Sequence, residues 1–203
     1  MRDAALRWNP HETHEEIMDG QGGYTIREIT GADIPVARAL MIRTFEEDFG
    51  SGYDPEYHGD VDDIRGTYIE RPRHVLYVAI DDTSGELVGT AGVKGGALRR
   101  GPEDLVRRYD DRDTAQIVRV YVRREDRRRG IARALLGRVL EFIVADGGYT
   151  TVALHTFPHS PGALAFWSSI ATPIIGYERE GQFPEVFFEI PLDVARSLAA
   201  SPA

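Results

Sequence analysis

The spacing of hydrophobic and polar positions in the first third of the chain predicts a strand followed by helices. Residues 24–30 (YTIREIT) alternate as a half-buried strand does, and apolar residues recur at helical spacing from residue 34 to about residue 49. The next segment, residues 50–63, is rich in Gly, Tyr and Asp and is predicted to be a loop. A short second helix is predicted over residues 61–69.

The middle of the chain predicts a hairpin and then a strand that leads into a helix. Residues 74–81 (HVLYVAID) and 86–93 (ELVGTAGV) are strand-like, and the DTSG between them favours a tight turn. Residues 115–122 (AQIVRVYV) are also strand-like. Residues 130–146 carry apolar side chains on one helical face and end at Gly147-Gly148, which is a typical helix stop.

The last third of the chain predicts a parallel crossover into a further strand, then a short helix and two final strands. Residues 150–157 (TTVALHTF) form a strand after a helix that itself follows a strand, so a right-handed parallel crossover is expected. Ser160-Pro161 is typical of a helix start and predicts a helix over residues 163–170. Strands at 174–181 and 185–192 complete the pattern.

This order of elements predicts a single α/β domain with a central mixed, twisted sheet of about seven strands flanked by helices. We assign the domain to residues 24–192, because no linker, repeat or low-complexity tract divides them. Residues 1–23 have no helical or strand period and are predicted to be an N-terminal extension, and residues 193–203 a C-terminal tail. A chain of 203 residues is long enough to bury a full core without metals or disulfides.

Composition and charge narrow the classes of function. The chain has no Cys, which removes disulfides, thiolate metal sites and a cysteine nucleophile and fits a cytoplasmic protein. It has no leader-like start and no run of about 18 apolar residues, so we expect neither secretion nor a membrane partner. The net charge is −9, yet residues 123–138 hold seven Arg against Glu125 and Asp126. One basic block in an acidic chain suits an anionic ligand and is too narrow for a nucleic-acid surface.

The basic block lies where a predicted strand turns into a predicted helix, in residues 120–132 (VYVRREDRRRGIA). Such a junction points backbone N–H groups outward at the positive end of a helix dipole, and Gly130 and Ala132 let a bulky anion approach the backbone. A diphosphate suits this arrangement best, although an Arg-rich solvated turn would have the same sequence. The chain has no G-x-x-x-x-G-K-[ST] and no G-x-G-x-x-G between a strand and a helix, so nucleotide hydrolysis and dinucleotide redox chemistry lose their main support.

These residues resemble a known family. RRRGIA at 127–132, after a strand that ends in VYV and before the helix ARALLGRVLEF, is similar to the acetyl-CoA signature Q/R-x-x-G-x-G/A of the GNAT N-acetyltransferase superfamily. The segment SPGALAFW at 160–167, followed later by GY at 176–177, resembles that family's N-x-x-A-x-x-F-Y…G-F segment. The resemblance covers residues 24–192 and includes the order of strands and helices.

The resemblance implies that the co-substrate is acetyl-CoA and that it binds in a splay between the fourth and fifth strands. Main-chain groups of the fourth strand would hold the pantetheine arm and polarise the thioester carbonyl, and the turn after this strand would hold the diphosphate. No metal is implied, because the thioester is already activated. The predicted cofactor-binding residues are Val120, Tyr121 and Val122 on the strand, Arg127, Arg128, Arg129, Gly130, Ile131 and Ala132 in the turn, and Ser160 in place of the family's Asn.

The resemblance defines the residues that transfer protons less completely than it defines those that bind the cofactor. Where the family often has a Tyr that protonates the departing thiolate, this chain has Trp167, whose indole N–H is not a useful acid. Tyr177, water or the ammonium group of the acceptor are the candidates for that proton. His155, on the strand beside the expected splay, is the candidate catalytic base for the amine. The alternative for His155 is a structural histidine bonded within the sheet.

The predicted reaction is the transfer of an acetyl group to a primary amine, with a small molecule as the expected acceptor. Acidic residues between Glu46 and Asp63, near several Tyr, would suit a cationic amine, unless they form an ordinary solvated surface. Two other functions stay open, namely a non-catalytic acyl-CoA-binding or sensing module and an acetyltransferase for protein N-termini or lysines. No nucleic-acid partner is expected, and a homodimer is a candidate assembly.

Overall fold

The computed structural model of the protein describes residues 23–50, 52–99, 101–158, 160, 162–177 and 184–200. The predicted N-terminal extension, apart from Gly23, lies outside these residues, and so does the side chain of Tyr177. The strands are β1 Tyr24–Glu28, β2 Val75–Asp81, β3 Leu87–Gly95, β4 Thr114–Val122, β5 Thr151–Thr156, β6 Thr172–Tyr177 and β7 Glu185–Ile190. The α-helices are α1 Ile34–Thr44, α2 Gly59–Asp62, α3 Glu103–Val106, α4 Ile131–Asp146, α5 Ala163–Ser168 and α6 Leu192–Ala199.

The seven strands form one mixed sheet in the order β1-β2-β3-β4-β5-β7-β6. Neighbouring strands are antiparallel except for β4 and β5, which are parallel and are connected through α4. This arrangement confirms the predicted α/β class, the mixed sheet and the parallel crossover.

Helices cover both faces of the sheet. α4 packs on one face, where Ile131, Leu135 and Val139 are buried in a core shared with β2, β3, β4 and β5. α1 packs on the other face, where Ala37 and Met41 are fully buried in a second core. The strand ends that lead into α4 therefore lie between two helical layers.

α4 forms where the pattern predicts it, because its apolar residues repeat on one face and its end is set by a glycine. The C-terminal cap is Gly147, whose φ of +69° is in the left-handed region that favours glycine. Among the described residues, no helix is both long enough and apolar enough to cross a membrane.

Several element boundaries differ from the predictions. The predicted first helix ends as α1 at Thr44 and continues as a π-helical turn, Phe45–Phe49. The predicted second helix is divided into α2 and a π-helical turn, Arg65–Ile69. A π-helical turn keeps a helical hydrophobic pattern while widening the hydrogen-bond spacing, so the sequence pattern does not distinguish it.

The start of α5 and the end of the chain also differ. The cap of α5 is Gly162, with a φ of +81°, and the prediction of Ser160 as the cap is wrong. The carbonyl of Ser160 instead accepts the N–H of Ala163 at 3.2 Å. Pro161 lies outside the described residues. The segment treated as a C-terminal tail contains α6, whose Ala195 is buried against α4.

Candidate active site

The sheet opens between β4 and β5. These strands pair at only three positions, from Thr114↔Thr151 to Gln116↔Ala153, although β4 continues to Val122. Beyond Gln116 the edge of β4 that faces β5 has no strand partner in the described part of the chain. The predicted splay between the fourth and fifth strands is thus confirmed, and it exposes main-chain hydrogen-bonding groups that an extended ligand can use.

A β-bulge lies in β4 along this open edge. Gly92 pairs with Val118 and Thr90 with Tyr121, so two residues, Arg119 and Val120, stand opposite Ala91 alone. Arg119 has a φ of +56°, which is strained for a residue with a side chain, and its carbonyl accepts the Thr90 hydroxyl at 2.8 Å. The bulge changes the direction of the backbone at Val120, the first of the predicted cofactor-binding positions.

A buried ion pair holds the bulge from the α1 side of the sheet. The Arg119 guanidinium donates to both carboxylate oxygens of Asp60, at 2.9 and 2.5 Å, and the Tyr68 hydroxyl donates to the same carboxylate at 2.5 Å. The Arg119 and Asp60 side chains are only 13% and 5% exposed. Burial alone would raise the pKa of Asp60, but the hydrogen bond and charge of Arg119 lower it below its usual range. This pair was not predicted from the sequence, because nothing in the local pattern indicates which arginine meets Asp60.

The turn between β4 and α4 has the geometry of an anion site. Arg128 and Gly130 have φ values of +68° and +83°, and α4 has no side-chain cap at its N-terminus. Within the described residues, the backbone N–H groups of Arg128, Gly130, Ile131 and Ala132 meet no hydrogen-bond acceptor. Four N–H donors at the positive end of a 16-residue helix are available to an anion.

Two of the three arginines in the predicted anion site form ion pairs within the protein. Arg127 donates to the Val122 carbonyl at 3.1 Å and pairs with Asp48. Arg129 pairs with Asp81 at 2.7 Å and with Asp126 at 2.6 Å. Their guanidinium groups therefore hold the turn in place.

Arg128 differs from its two neighbours in being exposed at the turn. Of the three arginines, Arg128 is therefore the one whose side chain faces solvent and can move to contact a bound anion. The main-chain contacts predicted for the turn do not depend on any of the three side chains.

Asp48 connects the turn to the π-helical turn Phe45–Phe49. Its carboxylate, 9% exposed, pairs with Arg124 at 2.8 Å and with Arg127. Burial opposes its ionisation, but the two guanidinium groups outweigh burial, and the pKa of Asp48 is lowered. Asp48 lies in a cavity of about 200 Å³ between α1 and the turn, which Val36, Leu40 and Leu87 also line.

His155 lies on β5, across the open gap from the bulge. Its side chain is 41% exposed, and its Nε2 is 3.6 Å from a carboxylate oxygen of Glu185. Its ring lies 5.7 Å from that of Phe187 and 6.5 Å from that of Phe157. This position is compatible with the predicted base and with the structural alternative, so its role stays a prediction.

Ser160 and Trp167 follow β5. Ser160 donates its backbone N–H to the Phe157 carbonyl at 3.1 Å, which places it at the end of β5 beside the gap. Trp167 is 6% exposed and belongs to the core on the α4 side of the sheet, where its ring lies 5.0 Å from that of Phe166. A buried indole in this core agrees with a packing role.

Half of the eight acidic residues between Glu46 and Asp63 pair with arginine. Four of them approach arginine at ion-pair distance: Glu47 with Arg43, Asp48 with Arg124 and Arg127, Asp60 with Arg119, and Asp62 with Arg38. Asp63 accepts the Gly66 N–H at 2.9 Å. The charge of these four carboxylates is therefore compensated inside the chain.

Comparison with known proteins identifies the family. The sequence model of the family described as Acetyltransferase (GNAT) family matches residues 38–170 of the chain. N-acetyltransferase 8 of Rattus norvegicus is 30% identical over 125 residues, which are 62% of this chain and 49% of that protein. The chain spans about half the length of the curated relatives it matches.

Solved structures share the fold at low sequence identity. A GNAT-family acetyltransferase from Staphylococcus aureus has a TM-score of 0.64 and 16% identity, covering 83% of this chain and 99% of that chain. The spermidine N-acetyltransferase of Vibrio cholerae, in complex with CoA and spermine, has a TM-score of 0.60 and 15% identity, covering 86% and 98%. The chain thus shares its overall fold with these proteins. The chain belongs to the GNAT acetyltransferase family, as its sequence resemblance implied.

Proposed function

We propose that the protein transfers the acetyl group of acetyl-CoA to a primary amine of a small molecule. The observation that carries the proposal is the junction of the open β4 edge beyond Gln116 with the turn of N–H donors after Val122. An extended chain can bind to the first and an anion to the second. Acetyl-CoA is complementary to both, because it joins an amide-containing arm to a diphosphate.

The residues present fit this co-substrate. Acetyl-CoA supplies an acetyl group that is already activated as a thioester. Main-chain groups at Val120 and Val122 are the proposed contacts to the arm, and the N–H groups from Arg128 to Ala132 the proposed contacts to the diphosphate. The positive φ of Gly130 and the absence of a Cβ keep this part of the backbone accessible.

The reaction joins the amine nitrogen to the acetyl carbon while the carbon–sulfur bond breaks, and CoA leaves as a thiolate. A thiol has a pKa near ~8.5, so the thiolate is a competent leaving group without a strong acid. The amine poses the greater difficulty, because a primary ammonium titrates near ~10 and must lose its proton before it attacks. His155, on the β5 side of the gap, is the proposed acceptor of that proton, directly or through water.

A small-molecule acceptor is preferred over the two alternatives. The Vibrio cholerae enzyme with the same fold acts on spermidine, which is a small amine. A binding-only module would need acetyl-CoA affinity without turnover, and a protein acetyltransferase would need a peptide acceptor.

One experiment separates the three functions. The full chain is incubated with acetyl-CoA and either a panel of small primary amines or peptides with free N-termini and lysines, and CoA thiol and acetylated product are measured. We expect thiol release and acetylated amine in equal amounts with small amines. Activity on peptides alone would indicate the protein acetyltransferase. Calorimetric acetyl-CoA binding without thiol release from any acceptor would indicate the binding module.

A further inference from the structure

Three aromatic rings meet where β4 and β5 have separated, on the α1 side of the sheet. Tyr121 lies on β4 beyond its last pairing with β5, and Phe157 directly follows β5, so the two residues lie on opposite sides of the gap. The Phe49 ring is 5.8 Å from the ring of Tyr121 and 5.1 Å from that of Phe157. Phe49 therefore bridges the gap, and we call these three residues the aromatic wall.

The aromatic wall continues into further rings. Phe45 lies 5.9 Å from Tyr121 and stacks on His58 at 3.9 Å, and His155 meets the edge of Phe157 at 6.5 Å. Phe49 and Phe157 are both partly exposed, so their rings are accessible from the gap. The candidate base His155 thus borders the aromatic wall, and an amine that reaches His155 from this side packs its body against the rings.

The position of Phe49 is set by its neighbour. Asp48 is held by Arg124 and Arg127, which belong to the signature turn. Phe49 and Asp48 are consecutive in the π-helical turn, so the ion pairs that shape the turn also fix the ring in the gap. A ring fixed in this way offers a preformed apolar contact at low entropic cost.

The charges near the aromatic wall do not favour a polycation. The carboxylates of Asp48, Asp60 and Asp62 each pair with arginine. A polyamine carries several ammonium groups, each of which would need a carboxylate or other acceptor of its own when it leaves water. These three carboxylates are compensated by arginine, and that of Glu185, 3.6 Å from the His155 Nε2, can take one ammonium group rather than several.

We propose that the acceptor is a monoamine with an aromatic or apolar body, and that Phe49 selects it by packing that body against the aromatic wall. This inference rests on the proposed acetyltransferase function. Aromatic rings in offset or edge-to-face contact add to the gain from removing apolar surface from water. The ammonium group of the acceptor faces His155, and the rest of the molecule lies along Phe49 and Phe157.

The test compares three acceptors with the full chain and acetyl-CoA: 2-phenylethylamine, ethanolamine and spermidine. We expect kcat/KM for 2-phenylethylamine to exceed that for the other two by about tenfold or more, mainly through KM, because removal of apolar contacts in a pocket changes kcat/KM by at least that factor. Phe49→Ala should lower kcat/KM for 2-phenylethylamine by a larger factor than kcat/KM for ethanolamine and so remove most of this advantage, whereas Phe49→Leu should retain part of it. Phe142→Ala, which removes a partly buried ring on α4, is the matched control and should leave the preference intact.

Two results would overturn the inference: a preference for spermidine, or an equal loss with all three amines in Phe49→Ala. Calorimetric titration of 2-phenylethylamine into the protein saturated with CoA distinguishes a failure of this inference from a failure of the proposed function. If no amine is acetylated but this binding is present and is lost in Phe49→Ala, the aromatic wall is supported and the acetyltransferase proposal is wrong. If neither turnover nor binding occurs, the aromatic wall is not an acceptor site.

Discussion

At Gly130 the proposed contact to the diphosphate comes from the backbone itself. Its φ of +83° disfavours any side chain, and a Cβ there would lie 3.4 Å from the Tyr24 hydroxyl oxygen. Gly130→Glu adds strain, bulk and a negative charge beside the proposed diphosphate contacts. We expect acetyl-CoA binding to weaken by more than ~100-fold, at about 1.4 kcal/mol per tenfold, as measured by calorimetric titration.

The matched control for Gly130 lies on the same helix. Gly137 has no heavy atom within 4 Å of a Cβ placed on it, and its φ is not in the left-handed region. Gly137→Glu adds the same charge to α4 and should bind acetyl-CoA almost as the unchanged chain does. Equal affinities for both variants would show that the diphosphate does not bind at this turn.

His155 carries the prediction about proton removal. If its imidazole is the base, His155→Ala should lower kcat by about 10² to 10⁴ and remove the acidic limb of the pH profile of kcat/KM. Trp167→Phe is the control, because its 6% exposed indole packs in the core and should affect stability more than kcat. A pH profile unchanged in His155→Ala would assign that residue to the structure of the sheet.

Among the elements, the bulge in β4 depends on a partner from another part of the chain. Asp60→Asn keeps the shape of the side chain but leaves the 13% exposed Arg119 guanidinium without its carboxylate. Because breaking a buried pair from one side costs about 3–5 kcal/mol, we expect a loss near the lower end of that range in the free energy of unfolding. Urea denaturation at neutral pH measures it.

An exposed pair gives the comparison for Asp60. Glu47 and Arg43 form an i,i+4 pair whose side chains are 43% and 54% exposed, so Glu47→Gln should change stability by less than about 1 kcal/mol. Similar losses in the two variants would mean that the Arg119 pair contributes no more than a surface ion pair does.

The elements show which parts of the fold local sequence can predict. The seven strands, α4 and the signature turn can be predicted from the periodicity of apolar residues and the positions of glycines, which are local features of the sequence. The pairing of Arg119 with Asp60 across 59 positions cannot be predicted in this way, because any arginine near the sheet could satisfy that carboxylate. α6 was missed for a related reason: a helix of eight residues is marginal alone and is stabilised by its packing on α4.

The candidate site divides in the same way between what was predicted and what was not. The splay was predicted from the family resemblance and the turn at Gly130 from the local sequence, and the structure shows both. Commitment of the Arg127 and Arg129 side chains to Asp48 and Asp81 was not predicted, since a run of arginines looks the same whether it faces a ligand or the protein.

In the molecule as a whole, ion pairs hold the signature turn from both sides of the sheet. Asp48 connects it to the helical layer of α1, and Asp81 connects it to the hairpin of β2 and β3 through Arg129. The basic block of the sequence therefore supplies anchors for the turn, and the exposed Arg128 and the backbone N–H groups are left to meet an anion.

The pH dependence of the stability of the whole molecule tests the protonation of one buried residue, His74. His74 is 8% exposed, and its Nδ1 meets no hydrogen-bond partner among the described residues. Burial, with the positive charges of Arg71 and Lys94, lowers the pKa of His74 to about 4. An unfolded histidine takes up its proton near ~6.5, so between these two values the unfolded chain binds more protons than the folded chain.

The contribution of the neutral His74 to the free energy of unfolding should therefore be fully present above pH ~6.5 and be lost as the pH drops toward 4. At about 1.36 kcal/mol per pH unit, His74 accounts for a loss of about 2 kcal/mol between pH 7 and pH 5, a window in which ordinary carboxylates stay ionised in both states. His74→Gln cannot take up a proton, so its free energy of unfolding in urea should vary less over this window by about that amount. If both proteins lose the same stability from pH 7 to pH 5, protonation of His74 in the unfolded chain is not the cause, and the imidazole must be able to take up a proton within the folded protein.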